Sequence, residues 1–196
     1  TETVLLDKLK EVMVVPNRGD EYRYSGTLNL IPGIGIDLGV FNGRSTYKLA
    51  DSTKLYFYGF DSFEGLPEKW DLGNKMVDKG HFKVAKVPED TKNCEFIKGW
   101  FEDTLPIFEV PADISYLNID SDLYSSAILG LKTFNRYIVE GTIIRFDDLL
   151  DSPNLRYLKW KEGEWKALLE WLEECNRKVE PIFRNTKQSG AFRVVK

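Results

Sequence analysis

Residues 34–46, Ile-Gly-Ile-Asp-Leu-Gly-Val-Phe-Asn-Gly-Arg-Ser-Thr, decide the fold. A short apolar run at Ile34–Leu38 passes into a turn punctuated by Gly39 and Gly43, and helical spacing then takes over from Arg44 to Ala50. The order predicts a buried strand, a loop and a helix. Glycines at such a turn let the backbone approach a ligand closely, and the helix start offers free N–H groups to a carboxylate. The pattern is acidic-x-Gly-x-x-x-Gly, led by Asp37, rather than the Gly-x-Gly-x-x-Gly of dinucleotide folds. Gly33 and Gly35 begin a Gly-x-Gly pair, but the third glycine is missing. Alone, the loop also reads as an ordinary tight turn.

Outward from this unit, short apolar runs alternate with amphipathic stretches, as in a series of βαβ units. Strands are predicted at 54–60, 94–98, 114–119 and 142–146, with helices at 101–109, 125–139 and 164–175. The 164–175 stretch places Trp165, Leu168, Leu169 and Leu172 on one face and reads as plain core packing. Two final strands, 179–183 and 191–195, flank a turn and read as a hairpin. Residues 4–15 have helical spacing up to Pro16, giving an amino-terminal helix or flap within 1–30. Residues 61–92 lack periodicity and are expected to form a lid, and 147–160 is a second irregular loop. The expected fold is a single α/β domain over 1–196: a Rossmann-like sheet of seven strands, mostly parallel with an antiparallel last strand, and helices on both faces.

The 196 residues suffice to bury roughly two thirds of the unfolded surface in one core. A formal net charge of -4 argues against the basic surface that nucleic acid requires. No apolar run approaches the roughly 20 residues that span a bilayer, so no membrane partner is expected. Cys94 and Cys175 form neither a CxxC pair nor a disulfide framework, which fits a reducing, cytoplasmic setting. A homodimer is compatible with the sequence.

Three further constellations carry chemistry. Asp61 follows the second strand about twenty residues beyond the glycine loop, where a carboxylate accepts hydrogen bonds from a ribose diol. Its neighbours Ser62 and Phe63, and Ser45 in the first loop, are candidate cofactor contacts. The bland reading of Asp61 is a helix cap or a solvated turn. Asp120 after the fourth strand and Asp147 and Asp148 after the fifth can meet in one crevice, because the carboxyl ends of neighbouring parallel strands converge. Three such carboxylates repel one another unless a hard divalent cation, Mg²⁺ or Mn²⁺, lies between them, and that ion would activate a hydroxyl. The alternative is separate hydration or pairing with Arg145 or Arg136. His81, the sole histidine, lies in the expected lid and is either a catalytic base or a surface residue. Of Phe63, Trp70, Trp100, Phe101 and Tyr124, Trp100 is the aromatic expected to face a cofactor, while the rest serve equally well as core.

The segments GFDSFEGLPE, KGWFEDTLP, YLNIDSDLYSS and FDD, in that order after the glycine loop, resemble the macrocin O-methyltransferase (TylF-like) family of class I S-adenosylmethionine-dependent methyltransferases. Together they span 37–148. The resemblance implies S-adenosylmethionine as cofactor, a small-molecule or sugar hydroxyl as methyl acceptor, and a magnesium ion on three acidic residues. It places Asp37, Gly39 and Gly43 beside the methionine part, Asp61 at the ribose, Gly99 and Trp100 near adenine, and Asp120, Asp147 and Asp148 on the metal. Asp122 is the alternative third ligand. The chain departs from the family in having little room for an elaborated amino-terminal lid and no histidine near the carboxy terminus, so the expected base is Asp120, His81 or metal-bound hydroxide. A protein of this fold that binds the cofactor without transferring methyl is the competing reading. A nicotinamide oxidoreductase would require a three-glycine fingerprint and a Tyr-x-x-x-Lys pair, and neither is suitably placed.

Overall fold

A computed structural model describes residues 2–151 and 156–196. In chain order the elements are α1 (Glu2–Glu11), β1 (Met13–Val15), α2 (Arg18–Ser25), β2 (Ile34–Leu38), α3 (Arg44–Thr53), β3 (Phe57–Asp61), β4 (Trp70–Asp71), β5 (Met76–Val77), β6 (Cys94–Lys98), α4 (Phe101–Thr104), β7 (Ile114–Ile119), α5 (Tyr124–Phe134), β8 (Ile138–Phe146), α6 (Glu164–Glu174), β9 (Lys178–Asn185) and β10 (Gly190–Val195).

The main sheet has eight strands in the order β1-β9-β10-β8-β7-β2-β3-β6. β10 alone runs antiparallel to its neighbours, and the pairs β1–β9, β8–β7, β7–β2, β2–β3 and β3–β6 are parallel. The α/β class and the antiparallel last strand are those expected. The eighth strand is β1, in a stretch expected to continue the first helix. The valines Val12, Val14 and Val15 favour extension over helix, and Met13–Val15 find open backbone partners along Phe183–Asn185. Burial is two-sided: β2 and β7 are buried at every position, as parallel strands covered by helices must be. Leu49 and Ala50 of α3 and Tyr22 of α2 pack with Phe57, Tyr116 and Phe183 on one face. Leu9, Phe134, Trp165, Leu168 and Trp171 pack with Ile36, Leu117 and Phe146 on the other.

Several bounds differ from those expected, each for a local reason. α4 stops at Thr104 shortly before Pro106, which cannot donate to a continuing helix. α5 gives way to a 3₁₀ turn at Asn135–Tyr137, so that 138–139 join β8 rather than the helix. α2 has no apolar period: its buried residues are Glu21, Tyr22 and Ser25, and it starts because Asn17 Oδ1 accepts the Asp20 N–H at 3.1 Å. The segment 61–92 carries the antiparallel pair β4–β5 and is tied to itself by Leu66 N–H to the His81 carbonyl at 2.8 Å. The expected loop at 147–160 falls partly on 152–155, outside the described residues. Among the described residues no helix is long and apolar enough to cross a membrane.

Candidate active site

The connection from β2 through α3 leads to β3 on one side, while β7 through α5 leads to β8 on the other, so the sheet reverses its winding between β2 and β7. A crevice opens at the carboxyl edge of such a switch point. Here it is a cavity of about 840 Å³, lined among others by Gly39, Ser45, Asp61, Ser62, Trp100, Asp120, Asp147 and Asp148. Because β10 runs the other way, the turn before it reaches the same edge and adds Gln188.

Gly39 leaves β2 with φ +95°, and a Cβ there would lie 1.9 Å from the Asp120 carbonyl oxygen. Only glycine allows the exits of β2 and β7 to touch in this way. Asp61 Oδ2 accepts the N–H groups of Val40 at 2.9 Å and Phe41 at 2.8 Å, and its Oδ1 accepts Phe63 N–H at 2.7 Å. Three of the roughly four acceptor sites of a carboxylate are thus used on the loop, and one remains toward the cavity. Phe41 and Phe82, both with left-handed φ, line the cavity and pack edge-on with centroids 6.0 Å apart.

Four of the expected cofactor contacts do not line the cavity. Asp37 is fully buried, accepting Thr46 Oγ1–H at 2.5 Å and an Asn118 Nδ2 proton at 2.7 Å. It ties β2 to α3 and β7, and burial pushes its carboxyl up to about 6. Gly43 is the left-handed N-cap of α3, Phe63 is buried, and the Gly99 N–H bonds the Asp61 carbonyl at 3.0 Å. His81 is likewise displaced from the expected catalytic position: its ring is exposed, packs on Phe82 at 4.4 Å and lies outside the cavity lining.

The acidic groups are sorted by their partners. Ligand oxygens of Asp120, Asp122 and Asp148 lie within 4.8 Å of one another. Asp147, expected in that triad, is instead neutralised on both oxygens, by Arg145 Nη2 at 2.7 Å and by Arg18. Arg145 is wholly buried and also bonds Glu21 at 2.8 Å and Asn118 at 2.9 Å. The pairing with Arg145 weighed as the bland alternative is the one Asp147 makes, and the three carboxylates that gather closely are Asp120, Asp122 and Asp148. Burial, then the charge of Asp147, holds Asp120 well above the usual carboxylate range, and burial, then Asp148, does the same to Asp122. Asp148 is pushed up to about 7 by burial and Asp147.

Glu164, the first residue of α6, is fully buried and accepts Ser121 N–H at 3.2 Å and Asp148 N–H at 3.0 Å, joining the two acidic loops. Gln188 donates to Asp148 Oδ1. Glu164, Gln188 and Arg18 escape sequence reasoning. Arg18 opens a helix without apolar period, and Glu164 opens one whose stripe announces only packing. Arg145 did carry a signal, because a charge inside the apolar strand TIIRF must be paired.

A family model described as Macrocin-O-methyltransferase (TylF) matches residues 27–163. The demethyldecarbamoylnovobiocin O-methyltransferase of Streptomyces niveus is 26% identical over 147 residues, 64% of this chain and 56% of that protein. The chain spans about half the length of the curated relatives it matches. Among solved structures, the O-methyltransferase NovP is similar with a TM-score of 0.66 and 19% identity, covering 91% of this chain and 80% of that one. The calicheamicin methyltransferase CalS11 gives 0.66 and 20%, covering 97% and 78%. At such identities these structures speak for the fold alone.

Proposed function

This chain belongs to the macrocin O-methyltransferase (TylF) family, and from that premise we propose that it methylates a hydroxyl of a small molecule or sugar from S-adenosylmethionine, aided by Mg²⁺ or Mn²⁺. The observation that carries the reading is that Gly39, Asp61, Asp120, Asp122 and Asp148 line one cavity at the switch point of the sheet.

The residues suit both groups. The donor set Asp120, Asp122 and Asp148 is all oxygen, gathered closely enough for one hard dication, and raised in pKa as mutually repelling carboxylates are. The glycine-formed cradle beside Asp61 suits a nucleoside. When bound, S-adenosylmethionine supplies an electrophilic sulfonium methyl, and the ion lowers the pKa of the acceptor hydroxyl.

The chain does the rest. Asp61 holds the ribose with its remaining acceptor capacity, the α3 start with Ser45 receives the methionine carboxylate, and Trp100 flanks the adenine. Asp120 would be ionised while it helps hold the ion, and in that form it would accept the proton that the acceptor hydroxyl gives up. Phe41, Phe82 and Trp70 add apolar surface to the cavity lining. Positioning supplies most of the acceleration.

The test measures S-adenosylhomocysteine formation over a panel of sugars and phenols, with and without Mg²⁺, beside calorimetry of cofactor binding. Expected are turnover on at least one acceptor, loss with chelator, and cofactor affinity about 10–100-fold weaker in Asp61→Ala, the worth of charge-assisted hydrogen bonds. Failure of the wild type to bind S-adenosylmethionine overturns the reading.

A further inference from the structure

Arg18 opens α2 and reaches across the cavity to the acidic floor, where it ion-pairs with Asp147 and lies 3.9 Å from Asp120. Its side chain remains 51% exposed. The two guanidinium ions on Asp147 therefore differ in kind. Arg145 is sealed in the core among Glu21, Asn118 and Asp147 and is a fixed part of the fold. Among the described residues Arg18 is held by the carboxylates of Asp147 and Asp120, on the solvent side, and can leave without opening the core.

Asp120 belongs to both arrangements. It faces Arg18 on one side and completes the cluster with Asp122 and Asp148 on the other. A guanidinium and a dication sharing one carboxylate repel each other across it. Drawing Asp147 into the cluster would also require its Oδ2, the oxygen Arg18 occupies.

We propose that Arg18 is a resident cation competing with the divalent ion for Asp120 and Asp147, so that ion entry expels Arg18 and loosens α2 from the crevice, while ion loss lets it return. The inference rests on the reading of the acidic cluster as a cation site. It makes metal loading and the docking of the amino-terminal segment two ends of one equilibrium, reciprocally coupled as linked binding must be.

The test is Mn²⁺ binding to the full chain, read by calorimetry and by loss of the free-ion electron paramagnetic resonance signal. Arg18→Gln is expected to bind Mn²⁺ at least tenfold more tightly than wild type, and Arg18→Lys, which keeps the charge, within about threefold of it. A second readout uses the wild type alone: Mn²⁺ should speed tryptic cleavage after Arg18 while slowing cleavage elsewhere. Unchanged or weaker binding in Arg18→Gln, or slower cleavage after Arg18, with wild type still binding Mn²⁺, overturns the competition and leaves the cation site standing. Absence of Mn²⁺ binding in every protein overturns both.

Discussion

At Gly39 a single hydrogen atom decides whether the crevice forms. A Cβ would overlap the Asp120 carbonyl at 1.9 Å, and the φ of +95° is one that L side chains rarely adopt. Gly39→Ala is expected to cost at least about 2 kcal/mol, from backbone strain and overpacking together. Urea unfolding measures it, and a loss below 0.5 kcal/mol would contradict the close approach. Asp37 predicts the opposite sign. Its folded-state carboxyl is raised to about 6 by burial, so the native chain keeps this proton to higher pH than the unfolded chain does. The stabilising contribution is complete below the unfolded value near 4 and is lost as pH rises through 6. Asp37→Asn preserves shape and can still meet Thr46 and Asn118. Its stability relative to wild type should therefore rise between pH 4.5 and pH 8, by roughly 2 kcal/mol at 1.36 per pH unit up to the folded value. A gap that stays constant or shrinks with pH argues against a buried ionised Asp37.

Elements meet at this site mostly through loops, and α6 is the exception. Glu164 binds the backbone after β7 with one oxygen and the backbone after β8 with the other. Glu164→Ala frees two buried N–H groups, and an expected loss of about 2–6 kcal/mol follows from 1–3 for each unsatisfied group. Because that change also loosens the acidic cluster, Mn²⁺ affinity should fall with it, and calorimetry on the folded variant checks this. An unchanged affinity would show that α6 braces the fold but not the cluster. The same elements explain what the sequence could reveal. β2, β3 and β7 were legible because burial on both faces writes itself as a nearly continuous apolar run, and their ends located Gly39, Asp61 and Asp120. β1 and α2 were not. The first is three residues whose strand character depends on a partner 170 positions away, and the second buries Glu21 and Ser25 against Arg145 and Tyr116, contacts no local period encodes. The second partner of Asp147 escaped for the same reason: Arg145 lies two residues away in β8, whereas Arg18 comes from α2.

Over the whole molecule, the acidic crevice is a cost of the folded state that an ion would remove. Asp148 is raised to about 7, and Asp120, Asp122 and Glu164 also lie well above their usual range, each chiefly through burial and then a neighbouring carboxylate. Between roughly pH 4 and pH 7 the native chain therefore holds protons that the unfolded chain has lost, and its stability without an ion falls as pH rises through that window. A dication binds only the ionised cluster and only in the native state, so protons compete with it at low pH and its effect grows with pH. At a hundredfold excess over its dissociation constant it adds about 2.7 kcal/mol by mass action. For a chain of this length that is about 5–10 °C in Tm. Calorimetric scans in Mn²⁺ against chelator should show the full rise at pH 8 and a clearly smaller one at pH 6. An equal rise at both pH values would place the ion away from these carboxylates, since a site whose ligands do not titrate in this range has no reason to follow the proton.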